Sequence, residues 1–134
     1  MDLSFSGLLT ASVEAFKTGK YSLEDVCFSL QEVAFAMLTE VTERALAHTQ
    51  KPEVLLTGGV AANKKLQSML EVIAKEHDAR FCVVPLSLAA DNGAMIAWAG
   101  ILAHKSGIST PVEKSFVNVK WRLEEVYAPW VEGQ

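Results

Sequence analysis

The segment between residues 54 and 84 constrains the fold of this chain more than any other. Residues 54–57 form an apolar run typical of a buried strand, and Gly58 and Gly59 follow it directly. Apolar residues then recur at helical spacing, and residues 81–84 form a second apolar run that stops at Pro85. Strand, helix and strand in this order predict a right-handed crossover between parallel strands. We therefore expect an α/β protein built from parallel βαβ units. The residues at helical spacing between the two apolar runs are Leu66, Met69, Leu70 and Ile73.

The residues before this segment predict one short strand and two helices. Residues 3–6 alternate apolar and polar side chains like a strand, and residues 8–16 follow helical spacing up to Gly19. Ser22 with Asp25 three positions later resembles a capping box at the start of a long helix. Apolar residues on more than one side of that helix indicate that it is covered on more than one side. Its main apolar face consists of Leu23, Cys27, Leu30, Ala34, Met37, Val41 and Ala45.

The residues after this segment predict a further helix and a less regular tail. Apolar residues from Met95 to Leu102 follow helical spacing, and the helix is expected to end at Gly107. In the tail, residues 117–120 and 122–127 show some alternation. They are interpreted as either an edge hairpin or an irregular segment.

Composition narrows the class of protein. A chain of 134 residues, half of them hydrophobic, is long enough for one domain with a real core. A net charge of −4 does not indicate a nucleic-acid-binding surface. Cys27 and Cys82 lie in apolar runs, which favours reduced thiols over a disulfide. The sequence shows no signal peptide and no apolar stretch of membrane-spanning length, so we expect a cytoplasmic protein that does not enter a membrane.

The loop from Gly58 to Asn63 is the strongest candidate for a binding site. Two glycines let the backbone approach a ligand closely, and the helix after them offers unpaired N–H groups to an anion. Asn63 adds an amide that can hold a ribose or phosphate oxygen. The alternative is that Gly58 and Gly59 only form a tight turn between strand and helix. The loop lacks the lysine of a P-loop and the spacing of a dinucleotide fingerprint.

Asp91 is the second candidate. Its carboxylate can bind a metal ion, or it can cap the helix that follows. Since both strand-to-helix loops of successive βαβ units lie at the same edge of a sheet, the Asp91 loop is expected beside the Gly58–Gly59 loop. The histidines His48, His77 and His104 fall near predicted helix ends and are interpreted as surface residues.

Four blocks of the sequence, in order, resemble one protein family. The blocks are residues 2–10, 29–32 with 42–45, 58–63, and 91–98. On these blocks the chain is similar to the tRNA N6-threonylcarbamoyladenosine synthases, the catalytic subunit of the KEOPS complex, formerly called O-sialoglycoprotein endopeptidases or glycoproteases. The form Asp-Asn-Gly-Ala-Met-Ile-Ala resembles the archaeal and eukaryotic branch.

The resemblance implies an actin-like, Hsp70-like fold of the ribonuclease H-like type, with residues 1–134 forming a single carboxy-terminal lobe of a two-lobe ATP-binding enzyme. It implies transfer of threonylcarbamoyl from threonylcarbamoyl-AMP to the adenosine next to a tRNA anticodon. Gly58, Gly59 and Asn63 would bind the adenine nucleotide, either ATP or threonylcarbamoyl-AMP. Asp91 would be one ligand of a divalent metal, iron or zinc. The resemblance assigns no certain catalytic residue to this chain.

The resemblance also implies partners and leaves alternatives. The family's paired metal-binding histidines have no match in this sequence, so we expect the chain to need an amino-terminal lobe and to be inactive and self-associating by itself. Expected partners of the complete enzyme are tRNA and KEOPS subunits, including the small kinase-like protein. The alternatives are a metallo-endopeptidase, as the old family name says, and a non-catalytic lobe that docks KEOPS proteins. No metallopeptidase HExxH motif is present.

Overall fold

The computed structural model of the chain describes residues 3–89, 92–122 and 125–131. It divides into two compact units, Met1–Ala90 and Asp91–Gln134, which are treated separately below. The first unit contains α1 (Ser6–Lys17), α2 (Leu23–Thr49), β1 (Glu53–Leu56), a 3-10 turn (Gly59–Ala62), α3 (Lys64–Glu76), β2 (Arg80–Val83) and α4 (Leu86–Ala89). The second contains α5 (Gly93–Lys105) and a 3-10 turn (Val112–Lys114). The chain is thus a mixed α/β protein with a small parallel sheet.

The predicted βαβ unit is confirmed. Strands β1 and β2 pair in parallel, with Glu53 opposite Arg80 and Leu56 opposite Val83, and α3 connects them. Glu53 and Arg80 also form an ion pair at the start of the ladder. Because the strands are parallel, both leave the sheet at the same edge. That edge carries the Gly58–Gly59 loop.

The core of the first unit lies between α2 and α3. Phe35 of α2 and Leu66, Leu70 and Ile73 of α3 form one buried cluster. Three of the four apolar α3 residues predicted to share a face are therefore in the core, and Met69 packs against it. Leu56 and Phe81 contact the same cluster from the two strands. This packing fixes α3, and with it the loop that precedes α3, against α2 and the sheet.

The predicted strand over residues 3–6 is wrong. Phe5 has helical backbone angles, and its carbonyl accepts a hydrogen bond from Leu9 N–H at 2.9 Å, so helical bonding already begins there. The helix then ends as predicted, with Gly19 at φ 67°.

The predicted long helix is confirmed, together with its cap. Ser22 Oγ accepts from Asp25 N–H at 3.1 Å and donates to Asp25 Oδ2 at 2.9 Å. Glu40 and Arg44 form an ion pair one turn apart on this helix. The prediction that the helix is covered on more than one side fails in its first turns, where Leu23, Cys27 and other side chains are exposed. Both cysteines are free thiols.

The second unit contains the predicted helix and an irregular tail. Helix α5 is capped by Asn92, whose Oδ1 accepts from Ala94 N–H at 2.9 Å. The cap is therefore Asn92, one position after the predicted residue. Gly107, at φ 75°, follows the helix end as expected. In the described tail no strand forms, so the irregular alternative is the correct one there. No helix in the described ranges is long and apolar enough to cross a membrane.

Candidate functional site

The glycine loop begins with a backbone conformation that requires glycine. Gly58 follows β1 directly and has φ 97° and ψ 171°, a region that side chains other than glycine rarely enter. A Cβ atom added to Gly58 or to Gly59 would meet no atom within 4 Å. The space in front of both glycines is therefore open, and a ligand can reach the backbone there.

Asn63 ends the loop and begins α3. Its Oδ1 accepts hydrogen bonds from Lys65 N–H at 2.9 Å and Leu66 N–H at 3.4 Å, which makes it the N-cap of the helix. Its Nδ2 donates to Oε1 of Gln31 on α2 at 3.2 Å. Since a side-chain amide carries two N–H donors, one N–H of Asn63 is left for a ligand. The site residue predicted from the sequence thus also has a structural role.

The loop is tied to α3 by Gln67. The Gln67 Nε2 donates to the carbonyl of Ala61 at 2.6 Å, and its Oε1 accepts from Lys64 Nζ at 3.1 Å. The next lysine, Lys65, pairs instead with Glu32 of α2 at 3.1 Å. The partner of the Lys64 ammonium is therefore a neutral amide, whereas the partner of the Lys65 ammonium is a carboxylate.

A pocket of about 330 Å³ lies beside the start of α3, where β2 leaves the sheet. Lys64 and Gln67 form its polar part, and its other walls are apolar. The remaining lining residues are Ala62, Val83, Val84, Pro85, Leu86 and Ala89. A positive side chain on a largely apolar pocket suits a ligand with one anionic group and one flat or apolar part.

Asp91 lies outside the described residues, so its predicted metal role and its predicted place beside the glycine loop stay predictions. Asn92 begins the second unit by capping α5. Among the residues that the structure describes, no three side chains of His, Cys, Asp and Glu are grouped closely enough to hold a metal ion.

The three histidines are surface residues at helix ends, as predicted. His48 and His104 lie in the last turns of α2 and α5, and His77 is the C-cap of α3. His77 Nε2 lies 3.6 Å from Glu43 of α2.

The sequence interpretation missed three side chains of this site: Gln31, Lys64 and Gln67. Lys64 and Gln67 fall in the first turn of a helix that the sequence predicts, so their place next to the loop could also have been predicted. Gln31 lies on another helix, 32 positions before its partner, and its contact depends on how α2 packs against α3.

The loop can thus offer an Asn63 N–H and exposed glycine backbone to a ligand rich in acceptors. Phosphates, ribose hydroxyls and carboxylates have that chemistry. The Lys64 ammonium lies on the neighbouring pocket, whose lining includes neither Asn63 nor the two glycines. The protein that carries this loop is of the mixed α/β class, with a small parallel sheet.

Comparison with known proteins gives the family. Residues 1–98 match the family model described as TsaD: tRNA N6-adenosine threonylcarbamoyltransferase. The chain belongs to this family of transferases. It is 57% identical to the tRNA N6-adenosine threonylcarbamoyltransferase of Archaeoglobus fulgidus and 53% identical to that of Thermococcus sibiricus, over 97% of this chain and 40% of each relative.

A third relative is a probable bifunctional tRNA threonylcarbamoyladenosine biosynthesis protein of Methanobrevibacter smithii. It is 53% identical over 99% of this chain and 24% of its own length. The chain therefore spans between about a quarter and two fifths of the length of the curated relatives it matches.

Proposed function

We propose that this chain is part of a tRNA-modifying transferase that moves threonylcarbamoyl from threonylcarbamoyl-AMP to the adenosine next to the anticodon. The observation that carries the proposal is the glycine loop ending in Asn63, in a chain that belongs to the threonylcarbamoyltransferase family. The chain's part is to bind the adenine nucleotide through Gly58, Gly59 and Asn63. The proposed setting is the carboxy-terminal lobe of an actin-like enzyme in the cytoplasm.

The geometry supports an acceptor-rich ligand such as ATP or threonylcarbamoyl-AMP. Gly58 and Gly59 leave their backbone open, Asn63 keeps one N–H, and Lys64 adds a positive charge near an apolar pocket. An anion held by such donors is favoured where water is partly excluded. These groups bind and orient the nucleotide, and none of them has to accept a proton.

We propose that Asp91 supplies one carboxylate to a divalent metal, iron or zinc. A bound metal would polarise the acyl group of the substrate. The described residues contain no metal-binding group of three, so the other ligands in this proposal come from the amino-terminal lobe. The same proposal names that lobe, tRNA and the KEOPS subunits as partners.

The names of the three relatives describe threonylcarbamoyl chemistry, which favours this function over a peptidase.

A segment exchange tests the proposal. The matching segment of the Archaeoglobus fulgidus relative is replaced by this chain, and the chimera is assayed with threonylcarbamoyl-AMP, tRNA and that relative's companion proteins. Modified adenosine is measured by mass spectrometry of the digested tRNA. The proposal predicts that the chimera forms threonylcarbamoyladenosine. A folded chimera that forms none contradicts it.

Asn63→Asp within the chimera separates binding from folding. Aspartate caps a helix as well as asparagine does, so the start of α3 should persist, but the donor N–H is lost and a negative charge faces the ligand. We expect only a small fall in the thermal midpoint, because the cap is kept and the single bond to Gln31 is lost, but a large loss of activity. Asp91→Asn should also inactivate the enzyme, and Glu71→Gln on the exposed side of α3 is the matched control that should not.

A further inference from the structure

The Asn63 amide is held at both ends by the protein. Its oxygen accepts from two backbone N–H groups of α3, at 2.9 Å from Lys65 and 3.4 Å from Leu66. Of the two ends of a side-chain amide, only the oxygen can accept from an N–H group, so these bonds identify which end is which. The nitrogen then faces α2, where Gln31 Oε1 accepts from it at 3.2 Å.

We propose that Gln31 is a positioning residue for nucleotide binding, because it fixes the plane of the Asn63 amide and so the direction of the N–H group that Asn63 has left. The proposal rests on the nucleotide role of Asn63 proposed above. Gln31 acts through Asn63 and does not itself touch the ligand.

The helical cap alone does not fix this direction. Two bonds to Oδ1 hold one end of the amide, but the amide can still tilt about that end. The bond from Nδ2 to Gln31 gives a second fixed point on the other side. An amide that is already oriented loses less freedom when it binds a ligand, and the affinity is higher for that reason.

The packing of α2 on α3 makes Gln31 suitable for this role. Phe35, one turn after Gln31, belongs to the same buried cluster as Leu66 and Leu70, which lie in the first two turns of α3. Gln31 itself is half-buried, so solvent competes less for its oxygen than at an exposed position. The neighbouring Glu32 reaches the same turn of α3 through its ion pair with Lys65.

The contact between Glu32 and Lys65 provides the matched control. It joins the same two helices, at the next residue of α2, through the side chains of Glu32 and Lys65, whereas Asn63 contacts only the backbone N–H of Lys65. Glu32→Gln should therefore leave the Asn63 amide and the ligand affinity unchanged to within about twofold, because a partly exposed ion pair contributes little. If Gln31 only helps to hold α2 against α3, the Gln31 and Glu32 variants should have the same ligand affinity.

The experiment uses the chimera of the segment exchange, in which the other lobe is present, labelled with ¹⁵N at its side-chain amides, and ADP as the probe. Gln31→Met removes the acceptor but keeps the length and helix preference of the side chain. We expect the two side-chain N–H signals of Asn63 to shift and their heteronuclear NOE to fall in this variant without ligand. The dissociation constant for ADP should rise roughly fivefold, as expected for one lost hydrogen bond.

Asn63→Ala and the double variant complete the test. If Gln31 acts through Asn63, adding Gln31→Met to Asn63→Ala should weaken ADP binding no further. An additive loss would overturn the positioning role, as would an equal loss in Glu32→Gln or unchanged ADP binding in Gln31→Met. Unchanged ADP binding in Asn63→Ala would instead overturn the proposed nucleotide role, so the two failures can be told apart.

Discussion

Gly58 and Gly59 are adjacent in the loop but differ in what they require of the backbone. Gly58 has φ 97°, where an L side chain is strained whatever space is available. Gly59 has no such angle, and a Cβ there would meet open space. The first glycine is therefore needed for the turn. The second is needed only if a ligand comes close to the backbone.

Alanine substitutions at the two glycines distinguish a turn from a binding loop. Gly58→Ala should lower the free energy of unfolding by about 1–3 kcal/mol. Gly59→Ala should change it by less than about 0.5 kcal/mol. If the loop binds a nucleotide, Gly59→Ala should nevertheless weaken ADP binding roughly tenfold, because the added methyl occupies space that the ligand needs. Urea unfolding and ADP titration measure the two effects.

Binding of ADP to Gly59→Ala with wild-type affinity would show that the glycine pair is only a tight turn. The sequence left that choice open, since a glycine pair between strand and helix serves both purposes. Asn63 could be predicted as a site residue from its place at the start of the helix. Its partner Gln31 could not, because the pairing depends on the rotation of α2 about its axis as it packs on α3.

Helix α2 is too long for α3 to cover it over its whole length. A helix of 27 residues is about 40 Å long, whereas the 13 residues of α3 span about 20 Å. The buried residues of α2 are Phe35, near the middle of the helix, and Leu46, near its end. Phe28, in the first half, is 63% exposed. The apolar pattern of α2 therefore predicts more contacts than α3 alone can supply.

The end of α2 has a conformation that its residue does not favour. Gln50 is the C-cap, with φ 51° in the left-handed region, and its N–H donates to Leu46 O at 2.8 Å. Glycine is the residue that adopts this conformation without a steric penalty. We expect Gln50→Gly to raise the free energy of unfolding by about 0.5–1 kcal/mol.

Gln50→Ala is the control for this substitution. Alanine keeps the Cβ atom and the steric penalty, so it should not stabilise the protein. The urea midpoints of the two variants give the comparison. If both variants stabilise equally, the gain comes from the lost glutamine side chain and not from the left-handed backbone.

The elements that the sequence predicts correctly are those with several turns or a partner nearby. Helix α3 shows four apolar residues at helical spacing, and the strands on either side pair with each other. The strand predicted over residues 3–6 rested on one short alternation, and helical bonding from Phe5 replaces it. Helix α4, with four residues after Pro85, is too short to produce a periodic signal.

At the scale of the whole molecule, large apolar side chains remain exposed in both units. Leu55 on the sheet is 65% exposed in the first unit, and Ile96 on α5 is 73% exposed in the second. Helix α5 is apolar on all sides, yet none of its described residues is buried. A helix of that composition is normally covered by other protein. In the proposed two-lobe enzyme another part of the protein would cover this apolar surface. The exposed apolar side chains of α5 therefore support that proposal.

The exposed surfaces predict that this chain associates with itself when it is alone in solution. Burying apolar area releases roughly 25 cal/mol per Å², and contiguous exposed patches promote association. Light scattering coupled to gel filtration should show a mass that rises with protein concentration. Ile96→Lys and Phe28→Lys should each lower that mass, since a charge disfavours burial. Thr110→Lys, at an exposed polar position, is the control for the added charge alone. A constant monomer mass at the highest soluble concentration would mean that these side chains tolerate water without a partner.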